Sequence, residues 1–328
     1  MFSANNSIAR ISEGASPPGA KQPSVAPTSN ATGTGTNGNP YLRRMKVELG
    51  PLKEWQGNKG GSIISFFSDG TKNGLRVTAQ LNSSLMSPAF STITIYNLSQ
   101  NTRDSITQGE TRVTVYAGWY NSDLVKVFQG SILSVWHERK DADILTHIVC
   151  MSAFGALSRG VSSIRFAPGT PLKSAIQRLV KDLPGMSTQD GMMAGITGNI
   201  GARGFSYAGS TRGALTKLAE EYGFSWYVNG DFIGALGDDF TIPSSITLTP
   251  ESGLISVTPI LQGPMQIAIG ARVSSLYIPG MRAGIGISVS SKYYPKYNGK
   301  PFNILQCDVT LDCYSDQWHS QMETRWFG

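Results

Sequence analysis

Glu220 and Glu221 stand side by side, as do Asp238 and Asp239. Paired carboxylates in a cleft are what a glycosidase needs to split a sugar bond. Neighbouring residues of a helix point in different directions about its axis, so Glu220 and Glu221 read as a solvated face. Asp238 and Asp239 follow a hairpin and read as loop residues. His137 and His147 flank one strand pair, but no third ligand stands at a metal-site spacing, and a polar strand face is the reading. Cys150, Cys307 and Cys313 show no zinc or redox spacing. Cys150 lies in an apolar alternating stretch and reads as core filler; a disulfide between Cys307 and Cys313 is not expected. Gly33-x-Gly35-x-x-Gly38 has the form of a dinucleotide fingerprint without the strand before it or the helix after it, since Asn39-Pro40 follows. No G-x-S-x-G or H-E-x-x-H motif occurs. The expectation is a chain with no catalytic, cofactor or metal residues.

The elements that would position these groups are mostly strands. Leu75, Val77, Ala79 and Leu81 alternate, and further strands follow around Ile93, Val113, Val127–Trp136 and Ile144–Cys150 at the spacing of sandwiches and barrels. Ser99 is placed to cap a short helical turn after Asn97-Leu98. Residues 165–235 change character. Thr170-Pro171 predicts a helix start, and Leu172, Ala175, Ile176, Leu179, Val180 and Leu183 recur at helical spacing up to Pro184-Gly185. A second helix is predicted from Ser210 to Tyr222, stopped by Gly223. Asn229-Gly230 between apolar runs predicts a hairpin, and residues 190–204 read as a loop. From about residue 240 the pattern returns to strands. The fold class expected is mainly β with an α/β insert: two β-barrel- or sandwich-like domains, 45–160 and 236–328, flank a small α/β module, 161–235. Residues 1–44 are a low-complexity arm whose composition cannot form a core. The arm is expected to lie extended over a neighbouring chain, with Arg43 and Arg44 anchoring its base.

Charged residues make up 15% of the 328-residue chain, well under the usual quarter, which suits a surface covered by partners. The net charge is +6, and half of it lies in the first 44 residues, where Arg10, Lys21, Arg43 and Arg44 oppose Glu13. No run of Lys or Arg exceeds two residues, which argues against sequence-specific nucleic-acid binding. No stretch is apolar enough for a membrane span, and the N-terminus does not read as a secretory signal. Unpaired thiols then point to a product made in the cytoplasm. Asn30, Asn82 and Asn97 stand in glycosylation sequons by chance.

The stretch from Ser91 to Gly130 resembles a known family. Its STITIYNLSQNTRDSI, then VTVYAGWY, then VFQGSI match in wording and order the first barrel of hub proteins from tailed-bacteriophage baseplates. The departure is Trp119 before Tyr120. The end of the chain, from Asn298-Gly299 through Asp316 and Trp318, resembles the closing hairpin of the family's second barrel, with Cys307-Asp308-Val309 and Asp312-Cys313-Tyr314 departing from it. The resemblance implies a non-enzymatic structural hub that joins the six-fold tail tube to the three-fold central spike and lines the DNA channel. It implies a homotrimer in the virion, made in the host cytoplasm. The partners implied are a tail tube or distal tail protein, the spike and the tape measure protein, with DNA passing through unbound. Interface residues expected are Arg43, Arg44, Asn97, Leu98 and Gly130. The alternative is a tail-associated protein that binds or degrades peptidoglycan, with Trp226 and Tyr227 stacking on sugar rings; both residues read equally as module core.

Overall fold

Alternating apolar residues dictate strands through most of the chain. A computed structural model describes residues 43–50, 63–70, 74–106, 111–120, 122–262 and 267–326. The arm and its proposed contacts lie outside the described residues, apart from Arg43 and Arg44. In chain order the strands of the first part are β1 (Arg43–Gly50), β2 (Ile64–Ser68), β3 (Val77–Ser84), β4 (Phe90–Tyr96), β5 (Arg112–Trp119), β6 (Val125–Lys140) and β7 (Asp143–Met151), with a short helix α1 (Gln100–Ser105) between β4 and β5. A middle part follows: α2 (Phe154–Arg159), β8 (Val161–Phe166), α3 (Leu172–Val180), β9 (Met193–Ala194), β10 (Phe205–Ser210), α4 (Thr211–Tyr222), β11 (Phe224–Asn229) and β12 (Phe232–Gly237). The last part is β13 (Ser244–Leu248), β14 (Leu254–Gln262), β15 (Ile267–Leu276), β16 (Gly286–Val289), β17 (Pro301–Asp312) and β18 (Trp318–Arg325). The fold is mainly β, as the alternation requires.

The first and last parts are joined in one sheet of 13 strands. Its main path runs β14-β15-β18-β17-β3-β4-β7-β6-β5-β1-β2. The join is antiparallel pairing of β17 with β3, from Gln306 opposite Ser84 to Asp312 opposite Thr78. One continuous apolar core lies behind it, drawing Val47, Leu81, Ile93 and Phe128 from the first part and Val273, Phe302, Val309 and Trp318 from the last. Asp312, 3% exposed, holds the end of the join: Arg76 donates to its Oδ2 at 2.8 Å and stacks over the Tyr96 ring.

The two parts repeat one plan. Within the sheet, β3-β4-β7-β6 and β14-β15-β18-β17 have the same order, and each group takes its strands from the chain in the same succession. A shared defect fixes the alignment. In the β6–β7 pair the register shifts between Ile132 and Ser134, skipping Leu133; in the β17–β18 pair it shifts between Ile304 and Gln306, skipping Leu305. Val135 then corresponds to Cys307, His137 to Val309 and Arg139 to Leu311. The outer strand β5 pairs with β6 as β16 pairs with β17.

The middle part has its own core, built from Ile176, Leu179, Leu215, Leu218 and Trp226, and that core also takes in Ala156 and Leu157 of α2. Ser210 caps α4 by accepting from the Gly213 amide, and Gly223 ends it at φ 67°, a left-handed value that glycine adopts without strain. Asn229-Gly230 turns β11 into β12 with Asn229 opposite Phe232. Three expectations are corrected here. Thr170 does not cap α3: its hydroxyl donates to the Ala167 carbonyl, and Pro171 occupies the cap position. The helix ends at Val180, before Leu183, whose amide bonds the Val180 carbonyl in a tighter turn. Residues 190–204 are not all loop, because Met193–Ala194 pair in parallel with β12.

The three cysteines are buried and free. Desolvation disfavours a thiolate, so burial raises Cys150 and Cys307 far above the ordinary thiol range and pushes Cys313 up to about 12. All three therefore stay protonated at neutral pH. Native protein is expected to react with an aromatic disulfide reagent at least a hundredfold more slowly than urea-unfolded protein, which should release three equivalents; rapid native labelling of any one would contradict this packing.

Candidate assembly interface

Glu220, Glu221 and the histidines are not brought into one site, whereas Asp238 and Asp239 line the same cleft. Glu220 and Glu221 are exposed on α4. Asp238 accepts from the Ser225 hydroxyl at 3.0 Å and lines, with Asp239, Tyr222, Phe224 and Phe240, a cleft of about 370 Å³ in the middle part. His147 Nδ1 bonds the Thr94 hydroxyl at 3.0 Å, and its ring stacks on Trp136 with centroids 5.0 Å apart. His137 Nδ1 bonds the Thr146 hydroxyl, and burial together with Arg103 holds its imidazole below the ordinary value. Among the described residues no group of three His, Cys, Asp or Glu side chains could hold a metal ion. Trp226 is fully buried and Tyr227 nearly so; both are core, with no face free to stack on a sugar.

The expected interface residues divide by position. Arg44 is half-buried, donates to the Tyr120 carbonyl and lies over its ring. Arg43 is 7% exposed, donates to the Ser315 carbonyl and lies over the Trp318 ring, so it ties the start of β1 to the last part of the chain. Asn97 is exposed and sits at φ 56°, a turn that asparagine tolerates. Its side chain donates to Asp143 and accepts from the Ile144 amide, locking β4 to the start of β7. Leu98 then drops into the core, and Ser99 caps α1 by accepting from the Thr102 amide. Gly130 lies where β6 crosses the end of β7: a Cβ there would sit 2.8 Å from both the Met151 carbonyl oxygen and the Phe128 ring. Arg43, Leu98 and Gly130 thus hold this chain together internally, and only Arg44 and Asn97 present surface.

Among the described residues several strand edges have no partner strand, β2 and β13 included, and two others belong to long strands with exposed apolar residues. Past Leu133, β6 has β7 on one side and no strand of the described chain on the other. Trp136 there is 44% exposed, and His137 through Lys140 are exposed. At the far end of the path, β14 pairs only with β15, leaving Ile255 60% and Leu261 46% exposed. These edges carry charged residues (Glu138, Arg139, Lys140) and a proline (Pro259), the devices that keep open edges from pairing at random. Sequence reading placed both strands but had no signal that they would be edges.

Residues 71–324 match the family described as baseplate hub gp41. In structure the chain is similar to the Escherichia coli c3393 protein, a type VI secretion component described as resembling the T4 phage tail proteins gp27 and gp5, at TM-score 0.54 and 11% identity over 79% of this chain and 76% of that one. It is similar to a tail protein of Neisseria meningitidis MC58, at TM-score 0.55 and 10% identity over 86% and 96%. It is also similar to the 43 kDa tail protein of prophage MuSo2 from Shewanella oneidensis, at TM-score 0.55 and 8% identity over 85% and 96%. At such identities the likeness is one of fold. No curated protein matches in sequence.

Proposed function

The chain belongs to the baseplate hub gp41 family, and from that premise we propose that it is a non-enzymatic structural hub of a phage tail, a homotrimer that joins a six-fold tail tube to a three-fold central spike and lines the channel through which DNA leaves. The observation that carries this reading is the repeated strand plan, β3-β4-β7-β6 and β14-β15-β18-β17, within one chain. Two like units per chain in three copies present six similar units to a six-fold ring. The two units differ in detail, so the same object offers a three-fold face to the spike. A fold shared with two tail proteins supports placing it in the tail. The partners are then a tail tube or distal tail protein, the spike and the tape measure protein. Its location is the virion tail, after synthesis in the host cytoplasm. Two-barrel domains at 45–160 and 236–328, bracketing the module at 161–235, remain the proposed division, with the β17–β3 join as the boundary between them.

Light scattering tests the oligomer. The purified protein is expected at three times the 35.2 kDa chain mass. A monomer at every concentration, and in isolated tails, would overturn the reading.

A further inference from the structure

The connection between β16 and β17, residues 290–300, is built unlike its counterpart in the other repeat. Resting on the hub reading above, we propose that it is a docking surface for an acidic pocket on the protein that meets the trimer with three-fold symmetry. Tyr293 is the side chain that enters the pocket, and Lys292, Lys296 and Lys300 are the charges around it.

Charge singles the segment out. Half of the net +6 lies in residues 1–44, so residues 45–328 carry +3. Lys292, Lys296 and Lys300 fall within nine residues that hold no acid, and they account for all of that excess. Among the described residues none of the three is in an ion pair. Exposure singles the segment out again. Tyr293 is 91% exposed, more than any other large apolar or aromatic side chain described. Rigid tyrosines of this kind are the anchors that carry much of the energy of protein interfaces once a partner buries them.

The connection is also held in shape. Asn298 pairs with Val289 in an isolated bridge, and its side chain accepts from the Ser291 amide at 2.7 Å. The Ser291 hydroxyl accepts from the amides of Tyr293 and Tyr294. Tyr297, 1% exposed, packs edge-on against Phe302 and Trp326, with Tyr294 beside it. Lys300 lies over the Trp326 ring at 3.6 Å and Lys296 over the Tyr297 ring at 5.0 Å. This aromatic floor fixes where two of the charges stand, and ordered backbone holds Tyr293 out to solvent. A partner then has little of the loop's conformational entropy left to remove.

Number and chemistry select the partner. The counterpart connection, between β5 and β6, has only residues 120–124. It contains Asp123 and no lysine, and its Tyr120 is half-buried under Arg44. The basic, aromatic connection therefore occurs once per chain and three times in a trimer. That count matches a three-fold partner and leaves half of a six-fold tube unmatched. Duplex DNA fits less well. Three lysines meet few phosphates, two of them are drawn onto rings, and a duplex offers Tyr293 no unpaired base to stack on. A second copy of the chain fits less well too, because residues 45–328 have no net charge outside this connection and residues 1–44 are themselves positive. An acidic protein surface with room for a phenol uses both the charges and the tyrosine.

Photocrosslinking in assembled tails tests this. With benzoylphenylalanine in place of Tyr293 in the full-length chain, irradiation of purified tails is expected to link it to another tail protein, at a stretch rich in Asp and Glu. Lys292, Tyr293 and Lys296 are all exposed, so changing them should not disturb the fold. Lys292→Glu/Lys296→Glu and, separately, Tyr293→Ala should leave the oligomer and its melting temperature unchanged and lower the yield of infectious particles at least tenfold. Reversing the crosslinked acids of the partner to Lys should restore the yield of the charge-reversed variant. No link, a link to DNA, a link to a second copy of this chain, or a link to a stretch without acidic residues overturns the proposal, as does normal yield from both variants. Each of these leaves the hub reading standing so long as the chain is found in the tails. Tails that lack the chain overturn the hub reading itself, and the docking surface with it.

Discussion

Trp318→Ala is expected to lower the stability of the whole sheet by about 3–5 kcal/mol, the range for removing a large aromatic from a packed core. Trp318 is fully buried. Its ring packs edge-on against Trp119 of β5 at 6.1 Å and against Tyr277 at 6.3 Å, and Arg43 of β1 lies over it at 5.8 Å. One side chain of the last part therefore supports the β1–β5 pair of the first, where Arg43 lies opposite Trp119. The loss is a large share of the 5–15 kcal/mol that typically separates folded from unfolded protein. Heat unfolding followed by near-ultraviolet dichroism should show the transition of both sheet halves moving down together, because their core is one cluster. The middle part has a separate core and should keep its own transition. If only residues 244–325 lost protection in hydrogen exchange while 43–151 kept theirs, the halves would be independent, and the shared core would not be what holds them.

The sequence made local features legible and long-range ones illegible, for a physical reason. The Ser99 cap, the Asn229-Gly230 turn, the Gly223 stop and the strand alternation each depend on residues a few positions apart. The β17–β3 join depends on residues at opposite ends of the chain, and nothing in Gln306–Asp312 names Thr78–Ser84 as its partner. The repeat was hidden by differing environments. His137 and Val309 occupy the same place in the two units, as do Arg139 and Leu311, yet the first of each pair is exposed in this chain and the second buried. Different burial calls for different residues, so equal geometry left no equal sequence. Thr170 misled because Ser, Thr and Pro near a helix start can divide the cap and first-turn roles in more than one way. Arg43 and Gly130 also make contacts inside the chain that their sequence neighbours do not announce.

The face of the sheet opposite the core should let DNA pass, and two substitutions per chain should slow it at low salt. Along the path from β14 through β6 this face carries Thr92, Asn82, Gln80, Thr310, Ser274 and Gln321, with the apolar Trp136 and Ile260 among them, and it interleaves Glu138, Asp308 and Glu323 with Lys140, Arg272 and Arg325. Arg272 is bonded to Glu323 at 2.6 Å. If this face lines the proposed channel, phosphates meet a polar wall of mixed sign and release few counterions. Gln80 and Gln321 are exposed on it, on neighbouring segments of β3 and β18 either side of β17. Gln80→Lys/Gln321→Lys places six lysines around a ring of three chains. Six phosphate contacts make binding fall about a thousandfold between 50 and 200 mM salt, a dependence the parent wall lacks. The double variant is expected to retain short duplex DNA at low salt and release it at high salt, while the parent retains none at either. Particles carrying it should assemble at normal yield and eject their genome more slowly at low salt, with the rate restored as salt rises. Normal ejection from such particles, with the variant protein binding duplex in solution, would mean that this face looks outward and that the channel is lined by something else.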